Sequence, residues 1–125
     1  QNTLKIKYID VGELLHWGFP KDNSSRSNFI KYCEWIWQQE QKPNFVLIDG
    51  RFRVCCFLVS IKHGSPGTKI IIDDYNNRPQ YRIVEEFVEV KEKYKRQSLF
   101  IIPEKSKINL NKLDEEIEKF QYVMD

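Results

Sequence analysis

Phe45-Val46-Leu47-Ile48-Asp49-Gly50-Arg51 and Ile70-Ile71-Ile72-Asp73-Asp74-Tyr75 decide how this chain folds. Each is a short, β-rich apolar run that ends in aspartate. Unbroken apolar runs of this length read as strands buried on both faces, the pattern of a parallel sheet. The segment 51–63 between them is long enough for a crossover helix, which parallel strands require. The spacing therefore predicts parallel strands at 45–48 and 69–72, adjacent in one sheet and joined by a helix over 52–63. Carboxylates at the carboxyl ends of neighbouring parallel strands stand where open α/β sheets bind ligands. Asp49 and at least one of Asp73 and Asp74 are expected to open onto the same side of the sheet, within reach of a shared ligand.

Outward from that pair, the pattern continues to alternate. Residues 4–11 alternate, with Leu4, Ile6 and Tyr8 against Lys5 and Lys7, and predict a strand ending at Asp10-Val11-Gly12. Residues 13–28 form a connector rich in turn chemistry, containing Trp17-Gly18-Phe19-Pro20. From Phe29 the spacing is helical, with Phe29, Tyr32, Cys33 and Ile36 on one face and Ser27 or Asn28 as cap. The 52–63 helix is apolar nearly all round, so it is expected to be buried, with Gly64 as its terminator. Asn76-Asn77-Arg78-Pro79 leads into a further helix whose inner stripe is Tyr81, Val84, Phe87, Val88 and Tyr94. A strand at 98–102 stops at Pro103. A last amphipathic helix, capped near Asn109 or Asn111, carries Leu113, Ile117 and Phe120. The order is β-α-β-α-β-α-β-α, a layered, Rossmann-like and mostly parallel α/β sheet.

Size and composition bound the function. At 125 residues, the chain is read as one α/β domain, 1–125. Apolar content of 41% and aromatic content of 14% argue against disorder. A net charge of +2 gives no reason to expect nucleic acid or a membrane surface as partner. No run reaches transmembrane length, and the three cysteines, with Cys55 and Cys56 adjacent, do not form a disulfide framework; a reducing cytoplasm fits best. The first residue is Gln1 and a strand-like run follows almost at once, which reads as a piece of something longer. If so, the 4–11 or the 45–48 strand lacks a neighbour, and the expectation is either self-association through an exposed sheet edge or a sheet closed in a different strand order, with 4–11 moving beside 45–48.

Asp49, Asp73 and Asp74 are the leading candidates for chemistry. Their hard oxygens could share Mg2+, orient a substrate hydroxyl or act as a base. Equally, one of them could cap the following helix or pair with a nearby arginine. Arg51, Arg53 and Arg78 suit capture of a carboxylate or phosphate on a small-molecule substrate, or those same ion pairs. The Trp17 loop could wall a ligand or plug the edge of the core; core filling is the commoner use of such aromatics. His16 and His63 lie near no second ligand type, and His63 is expected to favour its helix carboxyl end through the dipole. No Cys/His spacing suggests zinc, and neither a Gly-x-Ser-x-Gly elbow nor a phosphate-cradling Gly-x-x-x-x-Gly-Lys loop occurs.

Tyr8-Ile9-Asp10-Val11-Gly12, Trp17-Gly18-Phe19-Pro20, the run Val46 through Val54 with Asp49-Gly50-Arg51-Phe52-Arg53, and Ile72-Asp73-Asp74-Tyr75 with Arg78-Pro79 together resemble the carboxyl-terminal half of class I S-adenosylmethionine-dependent methyltransferase-like proteins. The resemblance implies that Asp10 lies near the adenine of the cofactor and that Asp49 faces the reacting methyl group. It implies acidic and amide residues that hold magnesium in catechol-type relatives, here matched by Asp49, Asp73 and Asp74, with Asp74 where the amide would be. The family's glycine-rich cofactor turn has no counterpart: Gly12, Gly18, Gly50, Gly64 and Gly67 include no Gly-x-Gly. The resemblance thus implies a truncated domain that binds S-adenosylmethionine weakly or not at all by itself. The rival expectation is a non-catalytic α/β interaction module that has lost the cofactor site.

Overall fold

The computed structural model describes residues 5–125. Its helices are α1 (Phe29–Glu34), α2 (Arg53–His63) and α3 (Leu110–Phe120); its strands are β1 (Phe45–Ile48), β2 (Lys69–Ile72), β3 (Glu92–Tyr94) and β4 (Gln97–Ile101). They form a four-stranded sheet in the order β1-β2-β4-β3. The aspartate-ended strands are parallel neighbours as expected, with Phe45 opposite Lys69 and Ile48 opposite Ile72. Helix α2 is their crossover. Its apolar circumference is buried almost throughout, from Val54 to Ile61. Phe57 meets the sheet at Phe100, ring centroids 4.8 Å apart and edge-on, a geometry that aromatic pairs favour.

The expectation of a mostly parallel sheet is corrected. Only β1–β2 is parallel; β2–β4 and β3–β4 are antiparallel. The reason lies after β2. The stretch predicted as one amphipathic helix is a 3₁₀ helix, Pro79–Glu86, which buries Tyr81 and Val84. The chain then forms β3 and reverses at Lys95-Arg96, with Lys95 left-handed at φ 54°. A hairpin of this kind delivers β4 starting from the carboxyl end of β2, so β4 must run against it. Tyr94, predicted in the inner helical stripe, is in β3 and 69% exposed.

The assumption of strands buried on both faces is corrected too. Ile48, Ile70, Ile72, Ser98 and Phe100 are buried, whereas Phe45 and Leu47 are 54% and 57% exposed. Helices cover one face of the sheet, and the alternate residues of β1 stay open. An unbroken apolar run shows that both faces are apolar, not that both are covered. The strand expected at 4–11 is absent: residues 5–11 hold no regular structure, and Leu4 lies outside the described residues.

Helix α1 is shorter than its apolar spacing suggests. It passes into a 3₁₀ turn, Trp35–Gln38, so Trp37 is buried while Tyr32 and Ile36 remain well exposed. Neither Ser27 nor Asn28 caps it through its side chain; the Asn28 amide donates to the Asp10 carbonyl at 2.9 Å. Gly64 does end α2, but by packing rather than by a left-handed φ: a Cβ there would lie 2.5 Å from Ile102 and 2.8 Å from the Ser60 carbonyl. Lys105 completes that terminus, its Nζ donating to the carbonyls of Ile61 and Gly64, both at 2.6 Å. At α3 the expected Asn109 cap is present, accepting from the Lys112 amide at 3.1 Å.

Candidate functional site

The turns that follow β1 and β2 build a site at the carboxyl edge of the parallel pair. After β1, the chain passes Gly50, where a Cβ would stand 2.5 Å from the Tyr32 hydroxyl, so a larger residue would displace the Tyr32 ring. Phe52 then takes a left-handed conformation, φ 57°, and is buried against Phe29. This bends the chain into α2 and places Asp49 and Arg53 one helical turn apart. After β2, the Asp73 amide donates to the Ile48 carbonyl at 3.0 Å, extending the ladder by one rung and drawing Asp73 beside Asp49. Asp74 follows at φ 60°. Left-handed backbone in bulky residues costs energy and persists where surroundings impose it, often at functional sites. Of the four such non-glycine residues among those described, Trp17, Phe52 and Asp74 border this region.

A cavity of about 500 Å³ brings together Asp49, Asp73 and Asp74 with Arg51, Arg53 and Arg78, and with Trp17. Every charged candidate named from the sequence except Asp10 therefore faces one space. Their states differ. Arg53, with its side chain 6% exposed, is the hub: Nη1 donates to the Asp73 carbonyl at 2.7 Å, and Nη2 lies 3.5 Å from Asp49 and 3.9 Å from Asp74. Arg96 reaches over from the β3–β4 turn, its Nε 3.4 Å from Asp73 and 3.2 Å from Asp74. Burial pushes the Asp73 carboxyl up, but hydrogen bonds with Gln97 and Arg96, the Arg96 charge and hydrogen bonding with Asp49 outweigh it. The net effect holds Asp73 below the usual aspartate value. Asp73 is thus committed to its partners, while Asp49, with its side chain 57% exposed, is the carboxylate open to a ligand.

Arg51 and Arg78 have no carboxylate within ion-pair distance among the described residues. Arg51 stacks on Phe19, with its guanidinium carbon 4.2 Å from the ring centroid. The Trp17 loop does not plug the core as the commoner use of aromatics suggested. It is a small hairpin pinned by Leu15 N to Phe19 O at 2.6 Å and Lys21 N to Glu13 O at 2.7 Å, and Trp17 is 84% exposed. Trp17 stands as a wall between the charged cavity and a second cavity of about 480 Å³, lined largely by Tyr8, Leu14, Tyr32, Trp35 and Phe52. Gly50 and Arg51 border both spaces. Asp10 does not line either one. Its carboxylate accepts from the Gly12 amide at 2.9 Å, and its neighbours Ile9 and Val11 line the aromatic cavity.

Arg96 and Phe19 were missed by reading the sequence. The signal for Arg96 was the polar break Lys95-Arg96-Gln97 inside a β-rich stretch, a hairpin turn that points back to the aspartates. His63 is the last residue of α2, and burial and then the Lys62 charge lower its pKa. Magnesium does not fit the carboxylates as arranged. Two arginines already engage them, and no group of three His, Cys, Asp or Glu side chains among the described residues converges to hold a metal ion. Among the described residues no helix is long and apolar enough to cross a membrane.

The fold is similar to that of a methyltransferase-like protein from Silicibacter pomeroyi DSS-3, with a TM-score of 0.78 at 28% identity, over 92% of this chain and 60% of that protein. No protein-family model matches the sequence, and no curated protein matches it. The chain has a methyltransferase-like α/β fold and spans 60% of the length of that neighbour.

Proposed function

We propose that this chain is the carboxyl-terminal part of a class I, S-adenosylmethionine-dependent methyltransferase domain acting on a small polar or anionic acceptor. One observation carries the reading: two adjoining cavities share Trp17, Gly50 and Arg51, one walled by aromatic and aliphatic side chains and the other by aspartates and arginines. A methyl transfer needs this division, because a flat nucleoside and a polar acceptor must be held end to end. Trp17, Tyr32 and Trp35 would wall the adenosine, with Asp10 beside it. S-adenosylmethionine, when bound, supplies an electrophilic methyl group. Asp49 would orient the acceptor or take its proton, and Arg51 and Arg78 would hold an anionic group on it. Asp73 and Asp74 support Asp49 through the shared Arg53 and Arg96.

The absence of a Gly-x-Gly turn weighs on affinity, since its backbone amides normally hold the cofactor's polar groups. The chain by itself is expected to bind the cofactor weakly. A second reading, an interaction module without catalysis, draws support from the ion pairs that already occupy Asp73 and Asp74. Ligand-observed NMR with S-adenosylhomocysteine separates the two. Saturation transfer at millimolar ligand, reduced by Trp17→Ala and left intact by Arg78→Ala, is the expected result. No transfer at any concentration favours the interaction module, and micromolar binding by calorimetry refutes the weak-binding argument.

A further inference from the structure

Cys33 on α1 and Cys56 on α2 meet across the helix interface with their sulfurs 3.4 Å apart. Neither belongs to the carboxylate–arginine site. Both line a cavity of about 210 Å³ between α1, α2 and β1, which shares Asp49, Gly50 and Arg51 with the neighbouring charged cavity. Cys56 is partly exposed, whereas Cys55, its sequence neighbour, is fully buried and does not line that cavity. Hydrogen bonding with Cys55 and Cys56, followed by burial, raises the Cys33 pKa far above that of an ordinary thiol and keeps it protonated.

We propose that Cys33 and Cys56 are a peroxide-oxidisable dithiol that closes to an intramolecular disulfide, tying α1 to the first turn of α2. Disulfide sulfurs lie about 2.05 Å apart, so closure requires the two sulfurs to approach by about 1.4 Å. Cys56 is the sulfur an oxidant reaches. Its thiolate attacks one peroxide oxygen, the O–O bond breaks, and hydroxide leaves to give a sulfenic acid at Cys56. The Cys33 sulfur then attacks the Cys56 sulfur, its proton joins the departing hydroxyl, and water leaves. In total, two thiols and one peroxide give one disulfide and two waters. Such pairs in reducing compartments are transient and sensing rather than structural.

The bridge would bear on the neighbouring site through two contacts. Cys56 Sγ lies 3.8 Å from the Arg51 carbonyl, and Tyr32, next to Cys33, packs its hydroxyl over Gly50. Closure therefore fastens α1 against the turn that carries Asp49 and Arg51. This inference stands apart from the methyltransferase reading, because its test follows sulfur and not activity.

The test treats the reduced, purified chain with hydrogen peroxide, blocks remaining thiols by alkylation and maps tryptic peptides without reduction. The expected result is a monomer that loses two of its three free thiols and regains them with dithiothreitol. A cross-link should join the peptide holding Cys33 to the peptide holding both Cys55 and Cys56, with tandem fragmentation placing the bond at Cys56. Cys55→Ser should form the link as the wild type does; Cys56→Ser should not. In Cys33→Ser, Cys56 should proceed to sulfinic acid. A Cys33–Cys55 link, cross-linked dimers alone, or three thiols unchanged under excess peroxide would each overturn the proposal. Mapping of the wild-type chain decides the matter even if a serine variant fails to fold.

Discussion

Arg53→Met deletes the guanidinium at the hub of the site while keeping an unbranched stem in its slot at the start of α2. Its consequence follows from three groups. Nη1 donates to the Asp73 carbonyl at 2.7 Å from a side chain only 6% exposed. Leaving that carbonyl unsatisfied costs about 1–3 kcal/mol. Nη2 faces Asp49 at 3.5 Å and Asp74 at 3.9 Å, but the Asp49 side chain is 57% exposed. Pairs so solvated contribute about 0–1 kcal/mol. Against these losses, Nε is buried without a hydrogen-bond partner. Removing that desolvated donor returns about 1 kcal/mol. The net expectation is a destabilisation of about 0–3 kcal/mol, or up to about 12 °C in Tm for a chain of this size. Urea unfolding followed by circular dichroism measures it, and a double-mutant cycle with Asp49→Asn apportions it. Coupling to Asp49 should stay below about 0.5 kcal/mol. Coupling above about 1.5 kcal/mol would refute the reasoning, since the ion pair and not the carbonyl would then be the anchor.

Three further outcomes follow from the same contacts. The folded-state pKa of Asp73 is depressed, so its contribution to stability is present above the unfolded value of about 3.9 and is lost as pH falls through the lower folded value; Asp73→Asn should flatten the acid limb of the stability–pH curve, and an unchanged limb in the variant would sink this assignment. Lys105→Met strips two carbonyls at the end of α2 of their shared donor and should cost about 1–2 kcal/mol in denaturant unfolding, partly restored by arginine. Strand β1 has no partner on its outer edge among the described residues and leaves Phe45 and Leu47 open, so sedimentation at rising concentration should show self-association that Leu47→Lys weakens; a strict monomer at all concentrations would defeat it.

The parts of the fold legible in the sequence were those that local pattern determines. The runs 45–48 and 69–72, the all-round apolar α2 and the Asn109 cap each carry their own signal, and each lies where its signal placed it. What failed was context. Nothing in Ser98-Leu99-Phe100-Ile101 distinguishes a strand arriving by a helical crossover from one arriving by a hairpin, because direction is set by the preceding connection. Here that connection ends in Glu92-Lys93-Tyr94, three exposed residues, too short and too polar to read as a strand. Residues 5–11 failed in the opposite sense. Their alternation is real, but a strand forms only where an edge accepts it, and the described chain pairs none there.

At the site, the aspartates were legible and their partners were not, for the same physical reason. Position at a strand end is a property of one segment, so Asp49, Asp73 and Asp74 could be placed on one edge from two apolar runs alone. Ion pairing is a property of two segments. Arg53 reaches across from α2 to the turn after β2, and Arg96 arrives from a hairpin 23 residues beyond Asp73. The ligand-facing and ion-paired alternatives then cease to exclude one another. Arginines that hold Asp73 and Asp74 in place fix the edge on which the Asp49 carboxylate stays exposed, while Arg51 and Arg78 have no carboxylate within ion-pair distance among the described residues. A ligand entering this cavity meets two uncommitted cations and one accessible carboxylate, a balance that favours an anion carrying a hydroxyl over a free cation.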